Sequence, residues 1–381
     1  MPNYNKRLQA VQQRMADLNI DLMFLPYSAN LDYVTGIHRE EQNFGNTMYP
    51  GDWMTGAWVA PGRAPILTLP RMQADFHGGA HGDFDVRVLP DAADPKALVR
   101  DVLTALGIQE NSTLAIEDRA RAETILNLQA LIANLQFVSA SAILRPMRVI
   151  KDADELAILR KAGEITEVAY IATRAKLRHG MTTLDLITEV NFQLKQHGSY
   201  APSFQTSFYN MGRNFPFNFQ NKDEVMLLPL NPPVSISFDF GSVLDGYCYD
   251  FGRSVFFGQP DDEYRKCYDL VIASQAAGIA ALKVGNTCAD ADAAARAVIE
   301  EAGYGYAFRH RLGHGIGMDV HEPPFLTKSD TTVLRAGMCF TAEPSIFIPH
   351  QFGMRVEDII VVGETGGEAL TTGYKDLYVL E

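Results

Sequence analysis

Four apolar stretches in the second half of the chain each enclose an acid or an imidazole. The first is Val234-Ser235-Ile236-Ser237-Phe238-Asp239-Phe240-Gly241, followed by Asp245-Gly246-Tyr247-Cys248-Tyr249-Asp250. The second is Leu312-Gly313-His314-Gly315-Ile316-Gly317, leading to His321-Glu322-Pro323-Pro324. The third is Phe340-Thr341-Ala342-Glu343-Pro344, and the fourth is Met354-Arg355-Val356-Glu357-Asp358. Apolar neighbours imply burial, and an isolated buried charge is expensive. A chain that repeats this pattern four times must fold so that the charged groups meet something that compensates them. Asp239 ends an alternating apolar strand, and the turn Leu244-Asp245-Gly246 begins a second strand that leads to Asp250. A hairpin of that kind sets two carboxylates side by side. Adjacent buried carboxylates repel, so that one takes up a proton or a divalent cation relieves the cost. The three glycines around His314 allow close backbone approach or unusual φ.

Two Asp, one His and two Glu form a mainly oxygen donor set with one imidazole and no thiolate. That set suits Mn²⁺, Fe²⁺, Co²⁺ or Zn²⁺ and argues against a structural zinc site. Five ligands of which two can bridge fit a pair of ions about 3.5–4 Å apart. The rest of the composition narrows the partners. The chain has 381 residues and a formal charge of −13, which disfavours a broad nucleic-acid or anionic-membrane surface. It does not exclude a small anionic substrate, because one buried arginine outweighs a diffuse field. The four cysteines, Cys248, Cys267, Cys288 and Cys339, form no CxxC pair and are expected to be reduced in a cytoplasmic protein. No secretory signal, membrane-spanning run or solenoid repeat is visible, so no membrane partner is expected.

Length suggests two domains. Residues 4–18, 94–106 and 122–135 have helical spacing, and they alternate with strand-like runs at 21–26, 57–60, 65–69 and 113–117. This is an α/β pattern. Near Arg145 the pattern changes: a long amphipathic helix is expected over 151–177, with Leu156, Leu159, Ile165, Val168, Ala169 and Ala172 on its apolar face. Helices at 184–196, 263–282 and 290–302 and a strand-rich C-terminal stretch follow. The boundary is placed at 144/145, with a short linker at Leu144-Arg145-Pro146, giving domains 1–144 and 145–381.

The order D-x-G…GY-x-x-D-x-x-R, GHGIG…HE-x-P, T-x-EP and R-x-ED resembles the M24 metallopeptidase family, which includes prolidases, aminopeptidases P, methionine aminopeptidases and creatinase. Asn30-Leu31-Asp32-Tyr33-Val34-Thr35-Gly36 is similar to an N-domain signature of the creatinase and aminopeptidase P branch. The resemblance implies a creatinase-like N-terminal α/β domain followed by an α+β pita-bread catalytic domain, two divalent metal ions and a homodimer. Carried over, Asp239 binds one metal, Asp250 and Glu357 bridge, and His314 and Glu343 complete the other. Glu343 is also the general base, and His321 stabilises an oxyanion or the leaving group. Arg355 resembles the family arginine beside the bridging glutamate, with an ion-pair role equally open to it.

The resemblance fails at one point. A family histidine is expected five residues after Asn214, where this chain has Phe219. Asn218 is the neighbouring hydrogen-bonding candidate, and Arg213 is a candidate anchor for a substrate carboxylate. Phe204, Phe208, Tyr209, Phe215, Phe217 and Phe219 form an aromatic cluster, read either as wall packing or as a pocket for a ring or cationic group. The stretch from His38 to Trp58, with Trp53, is read as a cap over the site by resemblance to creatinase-like dimers. The leading expectation is a dinuclear hydrolase cleaving a C–N bond in a small substrate, by family default an Xaa-Pro dipeptide. A cyclic amidine or guanidino compound (an ectoine hydrolase- or creatinase-like activity) and a metal-dependent lyase on the same fold are the alternatives. A non-catalytic binding module is disfavoured because all five ligands are present.

Overall fold

The computed structural model describes residues 2–39, 50–76, 84–216, 222–371 and 373–381. The chain forms two compact units, Met1–Arg148 and Val149–Glu381.

The first unit contains strands β1 (Leu22–Pro26), β2 (Gly56–Val59), β3 (Ile66–Pro70), β4 (Asp85–Leu89), β5 (Thr113–Ile116) and β6 (Gln136–Ser139). Its helices are α1 (Tyr4–Asp17), α2 (Ala29–Thr35), α3 (Arg71–Phe76), α4 (Pro95–Leu106), α5 (Ala122–Leu131) and α6 (Ser141–Arg148). The strands form one mixed sheet in the order β4-β3-β2-β1-β5-β6. Sequence punctuation sets the helix ends: Asp94 caps α4, Pro95 opens it, and Gly107 closes it at φ 77°. The inward faces of α4 and the sheet meet in a core of Phe24, Trp58, Val99, Val102, Leu103 and Leu114. Asn30 donates to Glu117 at 3.1 Å and accepts from Arg148 at 2.6 Å, so the signature around it holds the unit together internally.

Two expectations are corrected in this unit. The 144–146 stretch is not a linker. It lies in α6, where Pro146 forfeits only one backbone bond and buried Ile143 and Leu144 hold the turn. Trp53 is not a substrate contact: it is 3% exposed, packed in the core of its own unit. Of the His38–Trp58 stretch, residues 40–49 lie outside the described residues.

The second unit opens with α7 (Ala153–Arg174) and α8 (Thr183–Gln196), each started by a capping box, Asp152 with Glu155 and Thr182 with Asp185. The buried face of α7 keeps Leu159, Ile165 and Ala169, but Val168 is 44% exposed. Ala162, Thr166, Tyr170 and Thr173 complete that face, because small and hydroxylated residues let the helix approach its neighbours closely. The strands that follow are β7 (Ser207–Met211), β8 (Val234–Phe240), β9 (Val243–Leu244), β10 (Tyr247–Cys248) and β11 (Phe251–Phe257). Then come β12 (Gly313–Gly315), β13 (Glu322–Leu326), β14 (Cys339–Ala342), β15 (Ser345–Ile348), β16 (Phe352–Arg355), β17 (Asp358–Val361), β18 (Glu368–Ala369) and β19 (Tyr378–Leu380). A short helix, α9 (Lys222–Met226), precedes β8, and α10 (Asp262–Ala281) and α11 (Cys288–Glu301) precede β12. One sheet runs β19-β11-β8-β7 and a second runs β13-β12-β14-β17-β18. Tyr264, Cys267 and Val271 of α10 and Ala291, Ala295 and Ile299 of α11 share a core with Leu312, Phe340 and Ile360. No helix among the described residues is long and apolar enough to cross a membrane.

Candidate metal centre

Five strands or strand ends deliver the donors. Asp239 stands near the end of β8, opposite Gly252 of β11, and Asp250 immediately precedes β11. His314 is the middle residue of β12, Glu343 follows β14, and Glu357 lies between β16 and β17. Gly252 explains how Glu357 comes so close: its backbone pairs with that of Glu357, and a Cβ there would sit 2.9 Å from Glu357 Oε2. Around His314 the glycines also serve close approach. A Cβ on Gly315 would lie 2.5 Å from the Glu322 carbonyl, and neither Gly313 nor Gly315 has positive φ.

The donors converge. Asp239, Asp250, His314, Glu343 and Glu357 all line one cavity of about 910 Å³. One ligand atom each from Asp250, His314 and Glu357 lies within 4.8 Å of the others. His314 Nε2 is 3.5 Å from Asp250 Oδ2 and 3.5 Å from Glu343 Oε1. Its Nδ1 is 3.0 Å from the Gly315 carbonyl, which can only accept, so Nδ1 carries the proton and Nε2 presents a lone pair to the two acids.

The electrostatics call for a cation. Burial, and then Asp239, hold the Asp250 carboxyl well above the usual carboxylate range. Burial, Asp250 and Glu343 do the same to Glu357. Glu343 is raised by burial, with Arg355 and His314 opposing the shift. Burial lowers His314, favouring its neutral form. Asp250 Oδ1 and Glu357 Oε2 are buried without a hydrogen-bond partner among the described residues. A lone pair and two orphaned carboxylate oxygens facing one space are the chemistry of a divalent-metal site, and these residues fit one.

His321 is on the cavity wall with its ring 4.0 Å from that of His314. Burial, then His314 and Arg311, bring it down to about 4, so the ring is neutral at working pH. Arg355 Nη1 is 3.0 Å from Asp239, 3.4 Å from Glu343 and 3.9 Å from Glu357. It joins the site as a counter-charge to the acids. Arg213 does not line the cavity: its guanidinium is 3.6 Å from Asp261, with the side chain 71% exposed, which corrects its reading as a substrate anchor. Asn218 and Phe219, with Phe217, lie outside the described residues. The remaining aromatic residues divide, with Phe208 and Tyr209 on opposite faces of β7. Phe204 and Tyr209 line the cavity, Phe208 packs on Phe238 at 4.8 Å, and Phe215 is buried.

Several cavity residues were not foreseen, among them His310, Arg311, Phe325 and Phe347. His310 lies four residues before His314; its Nε2 is 2.5 Å from Ser345 Oγ and its Nδ1 2.7 Å from the Arg311 carbonyl. Burial, then Arg355, brings it down to about 3. The basic run His310-Arg311 beside His314 was the available signal.

Residues 157–364 match the profile described as Metallopeptidase family M24, and residues 7–150 match the Creatinase/Prolidase N-terminal domain. An Xaa-Pro dipeptidase from Lactobacillus delbrueckii subsp. lactis is 31% identical over 380 residues, covering 98% of this chain and 98% of its own. A dipeptidase from Pyrococcus horikoshii has a structure similar at a TM-score of 0.85 and 27% identity, covering 98% of this chain and 100% of that one. An Xaa-Pro dipeptidase from Bacillus anthracis is similar at a TM-score of 0.81 and 26% identity, covering 99% and 100%.

Proposed function

From the premise that the chain belongs to metallopeptidase family M24 and is a metal-dependent hydrolase, we propose that it is a dinuclear Xaa-Pro dipeptidase. The observation that carries this reading is the convergence of all five donors on one cavity, with buried oxygens of Asp250 and Glu357 left unpartnered. In this reading Asp239, Asp250, His314, Glu343 and Glu357 would hold the two ions. When bound, such ions would supply Lewis-acid chemistry and a water-derived nucleophile near neutral pH. Glu343 accepts the proton of the attacking water and returns it to the leaving nitrogen. Neutral His321 donates to the developing oxyanion. Arg355, paired with Asp239 and Glu343, holds both carboxylates in position. The proposal includes a homodimer, supported by the family resemblance, and a cytoplasmic location, supported by four buried free thiols.

The test is hydrolysis of Xaa-Pro dipeptides by protein reconstituted with Mn²⁺, Fe²⁺, Co²⁺ or Zn²⁺. Turnover at about 1 s⁻¹ or faster supports the proposal; no turnover with metal bound overturns it. A second reading, a small cyclic amidine or guanidino substrate, rests on Phe219 standing where the family histidine is expected. Turnover of such a compound in the absence of any dipeptidase activity would establish it.

A further inference from the structure

One face of β7 forms a wall of the cavity: Ser207, Tyr209 and Met211, alternate residues of the strand, all line it. Ser207 is the cross-strand partner of Asp239, so Tyr209 stands two residues along the strand on the face that carries one of the five donors. The tyrosine ring is fixed from behind. Its centroid is 5.4 Å from that of Phe347, at an interplanar angle of 46°. The Arg355 guanidinium carbon lies 5.2 Å from the Tyr209 centroid and 5.8 Å from that of Phe347. The same guanidinium is 3.0 Å from Asp239 and 3.4 Å from Glu343, so the phenol is held beside the acids.

Packing against an arginine needs only the ring, and phenylalanine would supply that. The hydroxyl adds something the packing does not use. Tyr209 is half-buried, yet among the described residues its hydroxyl makes no hydrogen bond. A tyrosine O–H taken out of water usually finds a partner, because leaving it unmatched costs free energy. Burial raises the phenol, Arg355 opposes the rise, and Asp239, Glu343 and Glu357 add to it, so the hydroxyl keeps its proton and is a donor. Cleavage of a peptide brings a matching acceptor into this space: the scissile carbonyl oxygen, which gains charge as the nucleophile adds to its carbon. We propose that Tyr209 is a catalytic residue whose phenol O–H donates a hydrogen bond to the scissile carbonyl oxygen as that oxygen becomes negative. The phenol keeps its proton throughout. The nucleophile's electron pair forms the new C–O bond, the carbonyl π pair moves onto the oxygen facing Tyr209, and that pair returns when the C–N bond breaks. His321, with its ring 4.0 Å from that of His314, donates from beside β12, and Tyr209 donates from β7. This assignment rests on the dipeptidase reading.

The experiment compares wild type with Tyr209→Phe, each reconstituted with Mn²⁺, on Leu-Pro. The variant keeps the ring and its contact with Arg355 and loses only the hydroxyl. Its kcat should fall by about 10²-fold with KM within about threefold, the pattern of a lost transition-state donor. A normal kcat overturns the proposal, because only the ring would then matter. Loss confined to KM also overturns it, assigning the hydroxyl to binding of the ground state. The melting temperature should not change, since the hydroxyl has no partner among the described residues. A fall of more than about 4 °C would reveal a structural partner and overturn the assignment. Calorimetry on the Mn²⁺-loaded proteins gives a second readout, with L-proline and a phosphinic analogue of Leu-Pro in which a tetrahedral P(O)O⁻–CH₂ unit replaces the peptide C(O)–N. Tyr209→Phe should bind the analogue at least about tenfold more weakly and L-proline within about twofold of wild type. Equal weakening of both, or loss of bound Mn²⁺, overturns the proposal in favour of a structural role. If wild type cleaves no Xaa-Pro dipeptide, the dipeptidase reading fails. The donor role of Tyr209 still stands if wild type binds the phosphinic analogue and Tyr209→Phe binds it at least about tenfold more weakly, and it falls with any other binding result.

Discussion

Glu357 and Asp358 are consecutive, both buried, and opposite in condition. Asp358 accepts from Arg253 at 2.6 Å and from Gln275 at 3.0 Å, and Lys375 Nζ is 2.8 Å away. Although burial opposes it, Arg253 and Lys375 hold its carboxyl below the usual range. Glu357 points to the other side of the backbone, among Asp250 and Glu343, with Oε2 unpartnered and its carboxyl pushed well up. Arg253 ties the two together: while pairing with Asp358 it also donates to the Glu357 carbonyl at 2.7 Å. A satisfied buried carboxylate is a structural part, whereas an unsatisfied one a residue away marks where a ligand belongs.

The largest effect should come from Glu343→Ala on the unsatisfied side. Activity should fall by about 10³-fold or more while the melting transition survives; near-normal turnover would remove Glu343 from the role of base. On the satisfied side, Asp358→Ala leaves Arg253 and Lys375 without their buried partner. Chemical denaturation should show a loss of about 3–5 kcal/mol, and a loss below about 1 kcal/mol would break the contrast drawn here. Adding metal to stripped protein should raise stability by about 2.7 kcal/mol at one hundred times the dissociation constant. The Asp358→Ala protein should gain by a similar amount, whereas a variant lacking both Asp250 and Glu357 should gain almost nothing.

The two carboxylates also predict opposite pH behaviour. The raised pKa of Asp250 and of Glu357 means that the folded metal-free protein binds more protons than the unfolded chain. Their contribution is fully present below the ordinary carboxylate range and is lost as pH rises through their elevated values. Asp358, lowered, contributes above the ordinary range and loses its contribution as pH falls toward its depressed value. Melting curves of metal-free protein from pH 4 upward should decline with pH in wild type, and the decline should flatten in Glu357→Gln. The smallest effect is expected at Arg213, whose exposed pairing with Asp261 should be worth under about 1 kcal/mol. Arg213→Ala should leave kcat/KM within about twofold, and a larger loss would return this arginine to the site.

Much of this was legible in the chain. Capping residues and apolar spacing marked α1, α4, α8, α10 and α11 to within a few residues, because those signals are local. The edge strands β4 and β6 were missed: their burial alternates weakly, with Val86 and Val138 exposed, so no period stands out. Pro146 read as a break because its preference for turns is a local property, whereas burial of Ile143 and Leu144 is not.

The sequence by itself determined which side chains could act. Acids and an imidazole set in apolar runs must be buried, and burial leaves few states for a charge other than pairing, protonation or ligation. Only the tertiary structure decided which of those fates each one met. Register between β8, β11 and the β16–β17 connection turned Glu357 toward Asp250 and Asp358 toward Arg253. The same long-range pairing brought Arg355 into the cavity, left Arg213 outside it, and set Arg311 against Phe325. Facing and partner choice depend on strands that are distant in sequence, and no local pattern encodes them.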